Sequence, residues 1–189
     1  MRIITGKAKG IRLKTLEGDS TRPTSDRVKE AVFSMIQFDI DGRTVLDLFS
    51  GSGQLALEAL SRGAKSATLV DKSKEAVSII KENVNKTRMT EFCTVYQSDY
   101  LDFIRRNCGQ QFDIVFLDPP YAQKMYAPSL RAMIDNKILK PTSLVICESD
   151  QETVFDGDKK LESEFVIEKQ SKYSKTYITI FKLKSEEEQ

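Results

Sequence analysis

Short apolar runs alternate with amphipathic stretches over most of this chain. From residue 44 onward the spacing predicts five strands at residues 44–48, 66–70, 92–97, 112–117 and 143–147. The stretches between them have helical spacing, at residues 54–62, 100–107 and 126–136, and Ser73 can cap a further helix whose Val77, Ile80 and Val84 share one face. This rhythm indicates an α/β fold with a mostly parallel sheet and helices on both faces. Two last strand-like runs, 164–171 and 176–183, are joined by only a few residues, so they predict an antiparallel C-terminal pair and seven strands in all.

Residues 1–43 follow a different pattern. Arg2–Thr5 and Ile11–Thr15 flank two glycines and predict a β-hairpin, and Asp26–Gln37 carries an apolar stripe typical of a helix. We therefore predict a small hairpin-and-helix extension at residues 1–43 and a main domain at residues 44–189. The first sixteen residues contain no acidic side chain and five basic ones, namely Arg2, Lys7, Lys9, Arg12 and Lys14.

Composition removes several classes of function. The net charge is only +1, so contact with nucleic acid would have to come from local clusters of basic residues. With no histidine and three scattered cysteines, we expect no metal site and no Ser–His or Cys–His nucleophile. We expect the cysteines to be buried free thiols, which fits a cytoplasmic protein. No apolar run approaches the ~18 residues of a membrane span, and the N-terminus has no signal-peptide pattern.

The most informative motif is Asp118-Pro119-Pro120-Tyr121, which follows the apolar strand at 112–117. Ligands of open α/β sheets bind just beyond the carboxyl ends of the strands. Because proline donates no hydrogen bond, the two prolines free the backbone carbonyls of Asp118 and Pro119 from the strand ladder. A carboxylate, a free carbonyl and an aromatic ring together can bind a planar group that carries an amine, such as a nucleobase.

A glycine loop follows the first predicted strand of the main domain, in Leu46-Asp47-Leu48-Phe49-Ser50-Gly51-Ser52-Gly53. Glycines allow the backbone to approach a ligand closely, and the helix that follows offers free N–H groups. Asp71 ends the next strand, where it could accept the hydroxyls of a ribose, and Asp99 ends the third, where it could hold an adenine amine.

Two cofactors fit this loop. The pattern Gly51-x-Gly53-x-x-Ala56 formally satisfies a dinucleotide motif, with Asp71 twenty residues after Gly51. However, Asp47 would repel a pyrophosphate and attract an α-amino group. A sulfonium donor that carries an amino acid, S-adenosylmethionine, is therefore favoured over NAD.

The same motifs indicate how catalysis would proceed. An exocyclic base amine is a weak nucleophile because its lone pair is delocalised, so it needs positioning more than a strong base. Asp118 and the Pro119 carbonyl would accept the amine hydrogens, and Tyr121 would stack on the base. Guanine offers two adjacent donors that suit an acceptor-only carboxylate, whereas adenine suits asparagine better.

These residues resemble class I S-adenosylmethionine-dependent methyltransferases, and more closely the bacterial 16S ribosomal RNA guanine-N2 methyltransferases of the RsmD type. The resemblance covers nearly the whole chain, and its most specific block is Arg22-Pro-Thr-Ser-Asp-Arg-Val-Lys-Glu30. The other matching blocks are Val45–Gly53, Leu57–Ala64, Asp113–Tyr121, Gly6–Gly10 and Tyr173–Tyr177. The family often has alanine where Ser50 stands, and often glycine or aspartate where Ser174 stands.

The resemblance implies a Rossmann-like seven-stranded fold and methylation of a guanine amine in the ribosomal RNA of the small subunit. We expect the enzyme to be a monomer. It implies a cofactor site formed by Asp47, Gly51, Gly53, Asp71 and Asp99, and we add Ser50, Lys72 and Tyr100 to that predicted site. It implies Asp118, Pro119 and Tyr121 at the target base, and Arg22, Thr24 and Arg27 at the substrate entrance. We add Arg12 and Lys14 of the basic hairpin as RNA contacts.

Three alternatives stay open at this point. The same chemistry could act on adenine N6 in DNA or RNA, or on a protein glutamine. The chain could also be a non-catalytic RNA-binding assembly factor that retains the fold, or an NAD enzyme.

Overall fold

The computed structural model describes residues 1–16, 26–120 and 124–184. Predictions for Arg22, Thr24 and Tyr121 therefore lie outside the described residues. The strands are β1 Thr44–Asp47, β2 Ser66–Asp71, β3 Cys93–Gln97, β4 Phe112–Leu117, β5 Leu139–Ser149, β6 Phe165–Tyr173 and β7 Thr176–Leu183. The helices are α1 Asp26–Met35, α2 Gln54–Ser61, α3 Lys74–Lys86, α4 Tyr100–Arg106, α5 Tyr126–Asp135 and α6 Lys159–Ser163, with one 3₁₀ turn at Thr90–Phe92.

The seven strands form one sheet in the order β3-β2-β1-β4-β5-β7-β6. Neighbouring strands are parallel from β3 across to β5, whereas β7 runs antiparallel to both of its neighbours, β5 and β6. The prediction of a Rossmann-like, mostly parallel sheet with an antiparallel C-terminal pair is confirmed. The strand order itself was not predicted.

Helices cover both faces of the sheet because the central strands are apolar on both sides. Along β4, Ile114 and Phe116 belong to one buried cluster, and Val115 and Leu117 belong to the other. Apolar side chains of α1, α2 and α3 complete the first cluster, and those of α4, α5 and α6 complete the second. This two-faced burial explains why the strands read as continuous apolar runs in the sequence.

Several boundaries differ from the prediction. β5 begins at Leu139 rather than Ser143, because its first residues form a bulged arm in which the register to β4 shifts between Phe112 and Ile114. Helix α6 was missed because it has only five residues and buries only Leu161. Helix α1 ends at Met35, two residues earlier than expected.

The N-terminal segment, which we define as residues 1–16, has less strand pairing than the predicted hairpin. A single antiparallel bridge joins Arg2 and Arg12, and backbone hydrogen bonds join Ile3 to Ile11 and Gly10. Its apolar side chains share the first core cluster with α1 and α2. The proposed division of the chain at residue 43 stays a prediction.

Two further observations concern the described part of the chain. Cys147 is buried and Cys93 half-buried, but Cys108 is exposed, so the expectation that all three thiols are buried was wrong.

Within residues 1–16, 26–120 and 124–184, no helix has both the length and the apolar character needed to cross a membrane.

Candidate active site

The glycine loop and the Asp118-Pro119 turn follow two adjacent parallel strands. Asp47 of β1 pairs with Phe116 of β4, and the Leu48 N–H donates to the Phe116 carbonyl at 3.2 Å. Both turns therefore leave the sheet side by side at its carboxyl edge. Ligands of parallel α/β sheets bind at this edge.

The loop between β1 and α2 requires its glycines. Gly51 and Gly53 have φ angles of 54° and 78°, which disfavour other residues. A Cβ on Gly53 would come within 2.9 Å of the Leu69 side chain, whereas a Cβ on Gly51 would point into open space. Gly53 is therefore needed for packing, and Gly51 lines a gap where a ligand can approach the backbone.

Ser50 shapes the loop through its side chain. The buried hydroxyl donates to the Asp47 carbonyl at 2.7 Å and accepts from the Val70 N–H at 3.0 Å. These bonds tie the loop to β2. Ser50 therefore holds the backbone of the loop in place, and its contact with the cofactor stays a prediction.

Asp47 is a buried carboxyl group at the base of the loop. It is 2% exposed, and its Oδ2 accepts from the Ala56 N–H at a long 3.4 Å. Burial, with a smaller contribution from the negative charge of Asp71, raises the pKa of Asp47 to about 7. A carboxylate that is poorly compensated in this way is suited to bind a cationic group such as an ammonium.

Asp71 ends β2 and supports the loop from the other side. Its Oδ2 accepts from the Gly51 N–H at 2.9 Å, and its Oδ1 accepts from the Ser73 N–H at 2.8 Å. Because a carboxylate has about four acceptor sites, Asp71 retains capacity for the two hydroxyls of a ribose. Lys72, the next residue, is exposed.

Asp99 and Tyr100 stand at the start of α4, beyond β3. Asp99 is exposed and caps the helix by accepting from the Leu101 N–H at 2.9 Å. The Tyr100 ring packs on Phe49 with ring centroids 5.1 Å apart, so it reaches the segment between β1 and the glycine loop. Burial and then Asp99 raise the pKa of Tyr100. The residues that follow β3 are therefore in contact with those that follow β1.

Asp118 is half-buried and Pro119 is buried directly after β4. The negative charge of Asp118 adds to burial in raising the pKa of Cys147, which places Asp118 within electrostatic reach of the end of β5. On the opposite side of β4, β1 leads into the glycine loop. Asp118 therefore follows β4, which lies between β5 and β1, the strand that leads into the glycine loop.

The predicted RNA contacts that the structure describes are Arg12, Lys14 and Arg27, and all three are exposed. Lys14 forms an ion pair with Glu82 of α3 at 2.8 Å, an exposed contact that solvent weakens. Their exposure leaves the three side chains accessible to a large polyanion.

Sequence reasoning missed a buried polar cluster that joins α1, α2 and the N-terminal segment. Glu58 of α2 accepts from the backbone N–H groups of Ile4 and Thr5, at 2.7 and 3.0 Å, and from Arg62 at 2.8 Å. The buried ammonium of Lys29 lies 3.8 Å from Glu58 and donates to the Arg2 carbonyl. A glutamate inside the otherwise apolar segment Leu55–Leu60 was the available signal, since an acid in such a helix needs buried partners.

Comparison with known proteins places these features in a family. The family model described as "Conserved hypothetical protein 95" matches residues 1–182. A relative from Haemophilus influenzae named ribosomal RNA small subunit methyltransferase D is 36% identical over 154 residues, which are 80% of each chain. The protein with the same name from Escherichia coli is 34% identical over 80% of this chain and 76% of its own.

The chain belongs to the RsmD family of S-adenosylmethionine-dependent methyltransferases. A solved structure from Escherichia coli agrees with the whole fold, with a TM-score of 0.84 at 27% identity over 98% of this chain and 99% of that chain. As in other parallel α/β proteins, the RsmD family site is expected at the carboxyl edge where Asp47 and Asp118 lie.

The residues at this edge fit S-adenosylmethionine. The buried carboxyl of Asp47 would provide a counter-charge for the α-amino group, Gly51 leaves open space at the backbone, and Asp71 would have acceptor capacity for the ribose. An NAD pyrophosphate would instead face the buried carboxyl of Asp47, which argues against that alternative.

Proposed function

We propose that this protein transfers a methyl group to the exocyclic N2 amine of a guanine in ribosomal RNA of the small subunit. The observation that carries the proposal is the register of β1 and β4, which brings the Asp47 loop and the Asp118-Pro119 turn together at one edge. The names of the Haemophilus influenzae and Escherichia coli relatives support ribosomal RNA as the substrate.

On the donor side, S-adenosylmethionine would supply an electrophilic methyl group on a sulfonium. Asp47 and the backbone of Gly51 and Gly53 would hold its amino-acid moiety, and Asp71 its ribose. Asp99 would accept from the adenine amine, beside Tyr100 and Lys72. Ionisation of Asp47 strengthens this binding, since the carboxylate then faces an ammonium in a buried place.

On the acceptor side, Asp118 and the Pro119 carbonyl would accept the hydrogens of the guanine amine. This holds the amine lone pair in line with the methyl group and stabilises the positive charge that develops on nitrogen. As the N–C bond forms and the sulfonium C–S bond breaks, Asp118 would take the proton that the amine loses. Tyr121 would stack on the base. Guanine is preferred over adenine because N1–H and N2–H both donate toward a carboxylate that only accepts.

RNA would approach over the basic side chains around this edge. Arg27 and the predicted contacts Arg22 and Thr24 would line the entrance, and Arg12 and Lys14 of the N-terminal segment would bind phosphates. We propose that the protein acts on the small ribosomal subunit or its RNA as a monomer in the cytoplasm.

Methyl transfer from tritiated S-adenosylmethionine tests the proposal. Naked small-subunit RNA, assembled small subunits, duplex DNA and total protein are offered in parallel, and labelled nucleosides are identified by mass spectrometry. We expect N2-methylguanosine from RNA. Label in N6-methyladenosine, in DNA or in protein would reassign the target, and RNA binding without any transfer would favour an assembly factor.

Asp118→Asn should lower kcat by about 100-fold or more, because one acceptor becomes a donor in the place where charge develops. Asp102→Asn, an exposed carboxylate on α4, is the matched control and should retain activity. Equal activity of Asp118→Asn and wild type would remove Asp118 from the acceptor site.

A further inference from the structure

Asn83 is a fully buried amide on α3, and it joins two parts of the molecule that are far apart in sequence. Its Nδ2 donates to the Ser52 carbonyl of the glycine loop at 2.9 Å and to the Lys14 carbonyl at 2.9 Å. Its Oδ1 accepts from the Lys14 N–H at 2.8 Å. One side chain therefore holds the centre of the cofactor loop and the end of the N-terminal segment.

The orientation of the amide is fixed by these contacts. Lys14 offers both an N–H and a carbonyl, so the amide matches it in one orientation only, and this leaves the second Nδ2 hydrogen for Ser52. Because Asn83 and its bond to Ser52 are buried, loss of that bond leaves a buried polar group unsatisfied. The position of the Ser52 carbonyl thus depends on the position of the Lys14 backbone.

Ser52 has a second contact with the N-terminal segment. Its hydroxyl approaches the Met1 sulfur at 3.5 Å, and Ser52 lies between two glycines with positive φ. Glycine-flanked backbone is easily displaced, since few steric limits hold it. The contacts with Asn83 and Met1 restrict the loop at its most deformable point.

The segment has separate anchors on α2 that do not involve Asn83. Ser61 accepts from the Ala8 N–H and donates to the Thr5 carbonyl, and its own carbonyl accepts from the Lys7 N–H. Glu58 holds Ile4 and Thr5. A change at Asn83 should therefore loosen the connection to the loop without detaching the segment.

We propose that Asn83 is a positioning residue that couples RNA binding at the N-terminal segment to cofactor binding at the glycine loop. This inference rests on the proposed function, in which Arg12 and Lys14 contact RNA. RNA that holds the segment in place also holds Lys14, and through Asn83 it holds the loop in the form that binds the cofactor. Linkage is reciprocal, so bound cofactor strengthens RNA binding by the same factor.

The coupling is measured as the change in affinity for S-adenosylhomocysteine when saturating small-subunit RNA is present, by equilibrium dialysis with labelled ligand. For wild type we expect binding to tighten by about fivefold or more. Asn83→Ala and Asn83→Asp should each reduce this change to less than about twofold, because both lose the donor to Ser52. The alanine variant tests loss of the amide, and the aspartate variant keeps the acceptor for Lys14.

Asn85→Ala is the matched control. Asn85 lies on the same helix but is exposed, and its side chain accepts only an exposed hydrogen bond from Thr90 among the contacts described. It should retain the wild-type coupling. In kinetics, the Asn83 variants should raise KM for S-adenosylmethionine while kcat at saturation stays within about twofold of wild type, a separation that general loss of folded protein would not produce.

The possible failures are distinguishable. If wild type binds RNA and transfers methyl groups, but the Asn83 variants keep the full coupling, then the coupling role is wrong and the proposed function stands. The same holds if wild type shows no coupling at all. If wild type neither binds nor methylates RNA, the proposed function fails and the coupling fails with it.

Discussion

At the residue scale, Asp47 combines a cost in stability with a role in binding. Its pKa is raised from an ordinary 3.8 to about 7, so the folded state holds this proton more tightly than the unfolded state does. The free energy of unfolding therefore falls as pH rises from about 4 to 7, and the full cost, at most about 4 kcal/mol, remains above pH 7.

Asp47→Asn should remove this cost, because the amide keeps an acceptor for Ala56 and carries no charge. At pH 8 the variant should be more stable than wild type in urea unfolding, and near pH 4 the two should converge. Its affinity for S-adenosylhomocysteine should fall by about 10- to 100-fold, since the ammonium loses a charged partner. Wild-type affinity should also weaken as pH falls below about 7.

The control is Asp39→Asn, at an exposed position, which should change neither the stability nor the affinity for S-adenosylhomocysteine. A stability difference for Asp47→Asn that does not depend on pH would contradict the raised pKa of Asp47.

Glu58 is the second residue on which the local structure depends. Burial lowers the pKa of Lys29, and the charge of Glu58 opposes this effect, so the two side chains are coupled inside the core. Glu58→Gln should destabilise the protein by about 3–5 kcal/mol in urea unfolding, because it leaves the Lys29 charge without its counter-ion. Glu162→Gln removes an exposed partner of Lys159 and should cost less than about 1 kcal/mol. Equal effects would show that Lys29 is neutral in the folded protein.

At the element scale, the predictable elements are those whose boundaries are set by local chemistry. The sequence predicts β4 and β7 with the observed limits because each is a buried apolar run closed by polar or turn residues. Ser73 caps α3 as expected and accepts from the Ala76 N–H at 3.3 Å. The start of β5 could not be predicted in this way, because Leu139 pairs with Phe112 only after a shift in register. The Asn83 bridge was equally hidden, since its partners are 31 and 69 residues away.

Asp113 joins three strands at the amino edge of the sheet, opposite the active site. It accepts from the Thr44 N–H and hydroxyl of β1 at 2.9 and 2.7 Å and from Lys140 of β5 at 2.6 Å. Burial is the largest single influence and would raise its pKa, but the hydrogen bonds from Lys140 and Thr44, together with the charge of Lys140, outweigh it and lower the pKa of Asp113 to about 2. The ionised carboxylate therefore stabilises the junction of β1, β4 and β5.

Asp113→Asn should cost about 2 kcal/mol near pH 7. Since the folded pKa lies below the ordinary 3.8, this contribution is fully present above pH 4 and is lost as pH falls to about 2. In thermal unfolding, the Tm difference between variant and wild type should become smaller as pH falls from about 4 to 2. Asp102→Asn removes an exposed ion pair with Arg105 at 3.9 Å and should lower the free energy of unfolding by less than about 1 kcal/mol. A difference that stays constant down to pH 2 would assign the effect to packing instead.

At the scale of the whole molecule, the first core cluster joins the N-terminal segment to the sheet. Ile3 and Leu13 are buried together with Phe33 of α1 and Leu57 of α2. The helix that begins at the glycine loop is therefore also the platform on which the basic segment lies. This arrangement places the predicted RNA contacts on a support that is continuous with the cofactor site.

Charge reversal on that support tests its role in RNA binding. The double variant Arg12→Glu with Lys14→Glu should weaken binding to small-subunit RNA. The negative slope of log affinity against log salt should become shallower by about 1–2, because up to two phosphate contacts are lost. Lys159→Glu with Lys160→Glu makes the same change, from +1 to −3 in net charge, on α6 at the opposite face of the sheet. The control should keep the wild-type slope, since only charges that contact phosphates release counter-ions. If both pairs weaken binding equally, the segment contributes through the overall field of the protein, and the RNA path must run over another part of the carboxyl edge.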